Sequence, residues 1–426
     1  MSVLNLLPVL VTVFGIYMLV KLRFFFIFHP IKTARRLALI IRDKHSQRSL
    51  ALALAGTLGV GNIVGVAYGI SVGGAGSVFW ILVSSLFASV IKYAESALAA
   101  DKKKASGGGM MYVIRSSLGK LGGILSIVYA LLCIALALSM GSALQSQSLI
   151  LSSGESDRNH KYILAIVFTL LVALVIKGGA KKIENVTAVV IPLSTIIYII
   201  LCLKVVLCNI SRLPETLKNI MTSAFNFRSF GGGVSSFLAI KALKEGYARG
   251  LLSNEAGAGT SAMAESRSNA SPCDVGILGM CEVFFDTVLL CTLTGLTVLL
   301  SGVNLSQKNG VLIVRDALSS VLGGGAGIIL FLLIFAFAYA TVVCWYYYGL
   351  ESFRFVFKKE KPLIFSALFL FFTFSGFLIP TGTLIGITDY ILLFMSIMTL
   401  SILYKNSERV VRLSEQSGLL KNSDIG

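Results

Sequence analysis

From Ala51 to Ile91 the chain carries no charged side chain. A stretch of that length has no place on a water-facing surface, but two passes through a hydrocarbon layer of ~30 Å, at ~20 residues each, accommodate it. The pattern recurs along the whole chain. Apolar runs long enough to cross fall at roughly 3–21, 48–72, 77–100, 120–148, 161–177, 186–208, 235–265, 274–301, 326–350, 362–380 and 384–404. The expected fold class is therefore an all-α integral membrane protein of about 11 transmembrane helices. Composition agrees: 56% of the 426 residues are hydrophobic and 13% charged, which leaves no stretch for a sizeable soluble domain.

The formal charge of +17 invites a nucleic-acid reading, but the basic residues fall in short clusters between spans and form no single face. They follow the first span (Lys21 to Arg48), the third (Lys102, Lys103, Lys104), the fifth (Lys181, Lys182), the ninth (Lys358, Lys359, Lys361) and the last (Lys405, Arg409, Arg412). These loops share one side of the membrane, and an excess of Lys and Arg marks the cytoplasmic side. The N-terminus is expected outside and the C-terminus in the cytoplasm. Lys21 and Arg23 come after the first apolar run rather than before it, so that run reads as a retained span and not a cleaved signal. The segment His29 to Ser46 is too polar to cross and reads as a basic interfacial helix. No cysteine pair forms a CxxC, and His29, His45 and His160 lie outside the spans without ligand spacing. Disulfide, zinc and metal-enzyme readings have no support, and no organic cofactor is implied.

Two spans carry glycine-rich interruptions. The second contains AGTLGVGNIVG, with Gly56, Gly59, Gly61 and Gly65; the seventh contains GLLSNEAGAGTS, Gly250 to Ser261. They stand five helices apart, and because five is odd, blocks starting at each must cross in opposite senses. That predicts one N-terminal helix followed by a 5+5 inverted repeat, with residues 1–47 as N-terminal helix and interfacial segment, 48–208 and 209–404 as the two repeats, and 405–426 as a cytoplasmic tail. Matched broken helices point to a transporter's midplane site. Unwinding frees N–H and C=O groups that hydrocarbon cannot satisfy, and an amino acid supplies a carboxylate for the first kind and an ammonium for the second. Gly61 and Gly65, four apart, also fit close helix packing; a dinucleotide-binding loop lacks its third glycine in register and its strand.

Ionisable residues at membrane depth are candidate functional groups. Glu95 with Lys92 reads as an ion pair near the cytoplasmic end of the third span. Glu255 either binds a cation or caps the unwound backbone beside a basic group such as Arg249. Asp286 reads as a hydrogen-bond acceptor for a neighbouring helix, with proton coupling as the other reading. Trp345 is a packing aromatic or a substrate lid.

At these positions the sequence resembles the alanine/glycine:cation symporters, also called sodium:alanine symporters. GTLGVGNIVGVA is similar to the family's GTxGTGNIAGVA, RGLLSNEAGAGTSAMA to RGxFSNEAGxGSAPxA, FFDTVLLCTLTG to VFxDTxxxCTxTA, and TVVCWYYYGLE to TxxGWSYYGE. The likeness covers nearly the whole chain. It implies the five-plus-five fold of amino-acid and neurotransmitter sodium symporters. It also implies uptake of a small neutral amino acid such as alanine or glycine, coupled to Na+ or H+, across a prokaryotic plasma membrane by a monomer. Carried over, the substrate carboxylate meets Gly59, Val60, Gly61 and Asn62 with Gln145 nearby. The ammonium meets carbonyls near Leu252, Ser253 and Gly257, and Trp345 closes the pocket. The cation sits among Thr57, Ala338 and Thr341.

Four positions depart from the family pattern: Val60 for Thr, Leu252 for Phe, Ser142 for Asn and Ala340 for Thr. They remove hydroxyls and an aromatic wall, and Leu252 is expected to make room for a residue larger than alanine. A binding or sensing protein that has lost transport is the alternative those losses permit.

Overall fold

The computed structural model describes residues 3–104, 107–154, 157–225, 234–306, 309–358, 363–379 and 381–420; Lys359, Lys361 and Pro380 lie outside them. Every regular element among the described residues is helical. Apart from a single helical turn at Phe25–Phe28 and 3-10 turns at Val60–Asn62, Ile210–Arg212 and Gly323–Gly325, these are in chain order α1 (Val3–Lys21), α2 (Pro30–Ile40), α3 (Lys44–Thr57), α4 (Val64–Gly73), α5 (Gly76–Asp101) and α6 (Met110–Ser117). There follow α7 (Gly119–Ser153), α8 (Arg158–Ile176), α9 (Gly179–Cys208), α10 (Leu213–Phe225), α11 (Val234–Asn254) and α12 (Ala262–Glu265). The last are α13 (Pro272–Ser301), α14 (Gly310–Leu322), α15 (Ala326–Phe357), α16 (Leu363–Ser375), α17 (Thr381–Lys405) and α18 (Ser407–Gln416).

Seven helical stretches are long and apolar enough to cross a membrane, or eight when α3 and α4, bent by 63° at their break, count as one span. That is fewer than the eleven spans expected, for physical reasons. The apolar parts of α1 and α16 are short (Leu6–Lys21 and Leu363–Ser375). The predicted span 235–265 is interrupted after Asn254 and resumes as helix only at Ala262. Three helices appear in segments read as loops: α6, α10 and α14. Each of the last two has its own start signal. Pro214 and Glu215 open α10, where a missing N–H costs nothing and an acid meets the positive end of the helix. Asn309 caps α14, its side chain accepting the Val311 N–H at 3.0 Å.

α5 is the centre of the bundle, packed against α11 on one side and α13 on the other. Small residues permit that approach in the absence of a hydrophobic driving force between helices. A Cβ added at Gly250 of α11 would fall 2.0 Å from Ser84 Oγ, and one at Gly276 of α13 would fall 2.7 Å from the Tyr93 ring. The contacts are reinforced by buried polar groups. Lys92 is fully buried on α5 and reaches not Glu95, as the sequence suggested, but Glu282 of α13 at 3.2 Å and Ser261 Oγ at 2.7 Å. Ser96 Oγ donates to Glu265 of α12. Glu95 instead accepts the Gly257 N–H at 2.9 Å.

α18 closes the face that carries the basic clusters, its Glu408 and Glu415 meeting Lys21 and Arg23, and its Arg409 meeting Asp101.

Candidate substrate and cation site

α3 ends at Thr57, and the chain runs through an extended Gly59 into a single 3-10 turn, Val60–Asn62, before α4 begins. The glycines serve this break in different ways. A Cβ at Gly56 would lie 2.8 Å from Tyr348 Oη, so Gly56 lets α15 pass close by. Gly59 lies against two of the expected site residues, its added Cβ 3.3 Å from both Gln145 Oε1 and Thr341 Oγ1. Around Gly61 and Gly65 there is nothing within 4 Å. The packing reading for that pair therefore fails: they leave bare backbone against open space. Among the described residues the N–H groups of Val60 and Gly61 meet no acceptor, as expected where a helix begins without a cap; that of Asn62 closes the 3-10 turn itself.

The second break follows Asn254. Glu255, Gly257 and Gly259 take left-handed backbone angles, with φ of 54°, 94° and 72°; glycine is strain-free there and glutamate is not. Protein side chains hold the segment. Asn254 Oδ1 accepts the Ala256 N–H at 3.1 Å, Glu95 accepts that of Gly257, and Thr260 Oγ1 donates to Glu255 Oε2 at 2.6 Å. Tyr129 donates to the Ala258 carbonyl at 2.7 Å and Thr399 does so at 3.3 Å. The Glu255 side chain thus holds the Thr260 hydroxyl and no backbone N–H, its Oε1 is buried without a partner, and no basic side chain lies within ion-pair distance of it among the described residues. Of the last helical carbonyls, those of Leu252, Ser253 and Asn254 meet no donor among the described residues.

Between the breaks lies a cavity of about 630 Å³. Of the residues expected at the site, Thr57, Gly59, Val60, Gly61, Gln145, Leu252 and Ser253 line it. Asn62, Gly257, Ala338, Thr341 and Trp345 fall outside its lining. Trp345 is fully buried beside the end of α3, where its Nε1 donates to the Gly56 carbonyl at 3.2 Å. It steadies the backbone just before the break. Asn62 turns the other way: its Nδ2 donates to Asp286 Oδ1 at 2.5 Å, while Ser253 Oγ donates to Asp286 Oδ2 at 2.8 Å. Asp286 therefore joins the two breaks from behind the cavity, in a stretch of α13 (Phe284–Cys291) where a wider π turn displaces it from regular helical spacing. A similar π turn, Ser139–Ala143, precedes Gln145 on α7.

The polar atoms left over are informative. Thr57 Oγ1 and Gln145 Oε1 are buried without a partner, and Thr341 Oγ1 stands 3.5 Å from the Leu58 carbonyl. Oxygens of this kind, hydroxyl and carbonyl, are hard ligands of the sort that small cations take. Ala338, one turn before Thr341, brings no side-chain oxygen.

The model of the sodium:alanine symporter family matches residues 1–416. The chain belongs to that family. It is 35% identical over 321 residues to an uncharacterized transporter of Haemophilus influenzae, covering 73% of this chain and 70% of the relative. It is 32% identical over 370 residues to the amino-acid carrier protein AlsT of Bacillus subtilis, 83% and 76% of the two chains. It is 30% identical over 382 residues to the sodium/alanine symporter AgcS of Methanococcus maripaludis, 85% and 83%. Family membership and the apolar helices make this symporter-family protein a multi-pass transporter of the plasma membrane, and not an enzyme.

Further residues of the symporter line the cavity: Arg249, expected only as a neighbour of Glu255, and two that the sequence did not single out, Tyr68 and Asp389. Tyr68 and Arg249 face each other, the guanidinium 4.9 Å over the ring, and Asp389 of α17 faces the same space. Asp389 and the buried Glu282 are ionisable residues inside apolar spans, so the rule that picked out Glu255 and Asp286 also marks them.

Proposed function

We propose that the protein is a secondary-active symporter that imports a small neutral amino acid such as alanine or glycine together with Na+, by alternating access. One observation carries the reading: a single cavity is bounded on one wall by a break with two N–H groups lacking acceptors and on the other by a break with three carbonyls lacking donors. A zwitterion is the ligand that complements both, its carboxylate on Gly59 to Asn62 and its ammonium on Leu252 and Ser253. Family membership supports Na+ as the co-transported ion, with Thr57 and Thr341 as its side-chain ligands and H+ as the competing choice.

In this reading eleven helices cross, one ahead of two inverted five-helix repeats at 48–208 and 209–404, with the N-terminus outside. The cavity is reached from the end of the bundle holding Leu151, Asn309 and Asp389, opposite the basic clusters. The conformation is thus outward-facing, and Arg267 paired with Glu184 lies on the closed side. Leu252 in place of the family's aromatic residue, in a cavity of about 630 Å³, supports acceptance of substrates larger than alanine.

Uptake of labelled neutral amino acids into proteoliposomes tests the proposal. An inward Na+ gradient is expected to drive accumulation. Uptake unchanged when both the Na+ and H+ gradients are dissipated would contradict symport.

A further inference from the structure

On the face that carries the basic clusters, a hollow of about 220 Å³ opens between the start of α3, the first turns of α9 and the segment after α12. His45, Arg48, Ser49, Lys181, Glu184 and Arg267 line it. Its carboxylate is already engaged: Glu184 pairs with Arg267, whose guanidinium lies 5.4 Å over the Tyr347 ring. Ser49 is also committed, donating to the Ala264 carbonyl at 2.7 Å. Among the described residues, Arg48 and Lys181 have no carboxylate partner. The positive field extends beyond the hollow, since Lys103 nearby has its ammonium pKa lowered first by burial and then by the charge of Arg267.

Two uncompensated cations on the wall of a concavity call for an anion with several oxygens. A guanidinium fork suits a phosphate geometrically, and a lysine beside it supplies a point charge. The hollow's lining residues His45, Arg48 and Lys181 belong to the basic clusters between apolar runs, and basic pockets between spans on the cytoplasmic side are a place where anionic headgroups bind.

We propose that this hollow binds a phosphate-bearing anion, with Arg48 and Lys181 as its principal ligands and His45 at the rim. The phosphate comes from a phospholipid headgroup of the adjoining leaflet or from a free anion. Either source ties α3, the half-helix that ends at the first break, to α9 of the surrounding scaffold. The inference is independent of the substrate reading, because none of these residues lines the central cavity.

The test follows thermal unfolding of the purified transporter in neutral detergent during titration with phosphatidylglycerol, phosphatidylcholine or inorganic phosphate. Phosphatidylglycerol is expected to raise the unfolding temperature, while phosphatidylcholine does not. In the double variant Arg48→Gln/Lys181→Gln the half-maximal concentration should rise at least about tenfold, since two charge-assisted contacts are lost. The variant Arg35→Gln/Arg412→Gln removes the same charge elsewhere on that face and should titrate like the wild type. Unfolding of both variants without additive, close to that of the wild type, shows that they fold. If inorganic phosphate reproduces the shift and the Arg48/Lys181 variant loses it, the ligand is a free anion; if only phosphatidylglycerol acts, it is a headgroup. An equal loss in both variants, an unaltered titration in the Arg48/Lys181 variant, or no stabilisation of the wild type by either phosphate source would overturn the proposal.

Discussion

The two breaks look alike in sequence, each a glycine-rich interruption of an apolar span, yet they solve the problem of exposed backbone in opposite ways. At the first, Gly61 and Gly65 face open space and the N–H groups of Val60 and Gly61 meet no acceptor among the described residues. At the second, glycine serves turn geometry, at the left-handed Gly257 and Gly259, and the chain is laced by Glu95, Asn254, Tyr129 and Thr260. Leaving a buried amide unpaired costs roughly 1–3 kcal/mol on protein-derived scales. The first break bears that cost where a ligand can relieve it; the second satisfies N–H groups internally, at Ala256, Gly257 and Ala258, and leaves carbonyls open, those of its last helical residues among them. Glycine count alone therefore does not say whether a break is a binding surface or a structural turn.

Substitution should separate the two. The largest effect is expected from Gly61→Leu, whose Cβ has no protein atom within 4 Å and opens on the cavity: uptake in proteoliposomes should vanish while unfolding temperature hardly moves. Retained uptake would mean that the first break is not the binding surface. Gly257→Ala should behave conversely, lowering stability by about 1–3 kcal/mol because alanine is strained at positive φ, with any folded protein still binding substrate; denaturation in detergent reads the loss. A smaller effect is expected from Thr341→Ala, which removes one of the oxygens proposed for the cation, beside Gly59. The Na+ concentration for half-maximal uptake should rise about fivefold to tenfold, the equivalent of ~1–1.4 kcal/mol, and unchanged Na+ dependence would remove Thr341 from the cation site. The smallest is Leu252→Phe, a refilled wall that should shift preference from larger neutral amino acids toward alanine by about tenfold, measured as a ratio of uptake rates.

How far the sequence reveals this arrangement depends on the range of the interaction. The break in AGTLGVGNIVG is legible because glycine acts locally, and the structure interrupts helix at Leu58 and Gly59, inside that motif. Asp286 is legible as an acceptor because a carboxylate at that depth has to be hydrogen-bonded. Its partners are not, because Asn62 and Ser253 arrive from helices more than thirty residues away in the chain. Lys92 shows the same limit: spacing on one helix offers Glu95, whereas packing of α13 on α5 delivers Glu282. Trp345 falls outside the cavity lining for a related reason, since helical periodicity does not say which wall a side chain meets. The helices α10 and α14 carry readable start signals, but they lie in segments too short and too polar to read as spans.

The account centres on recognition of a zwitterion across both breaks, and competition for Na+-driven uptake tests that most directly. Initial uptake of labelled alanine, or of the best substrate from a counterflow screen, is measured with unlabelled competitors that keep the side chain but lack one charge: the amino-acid amide, without the carboxylate, and the N-acetyl derivative, without the ammonium. Only the intact amino acid should compete at comparable concentrations. Equal competition by either derivative would show that one of the two breaks takes no part in binding and would contradict the account.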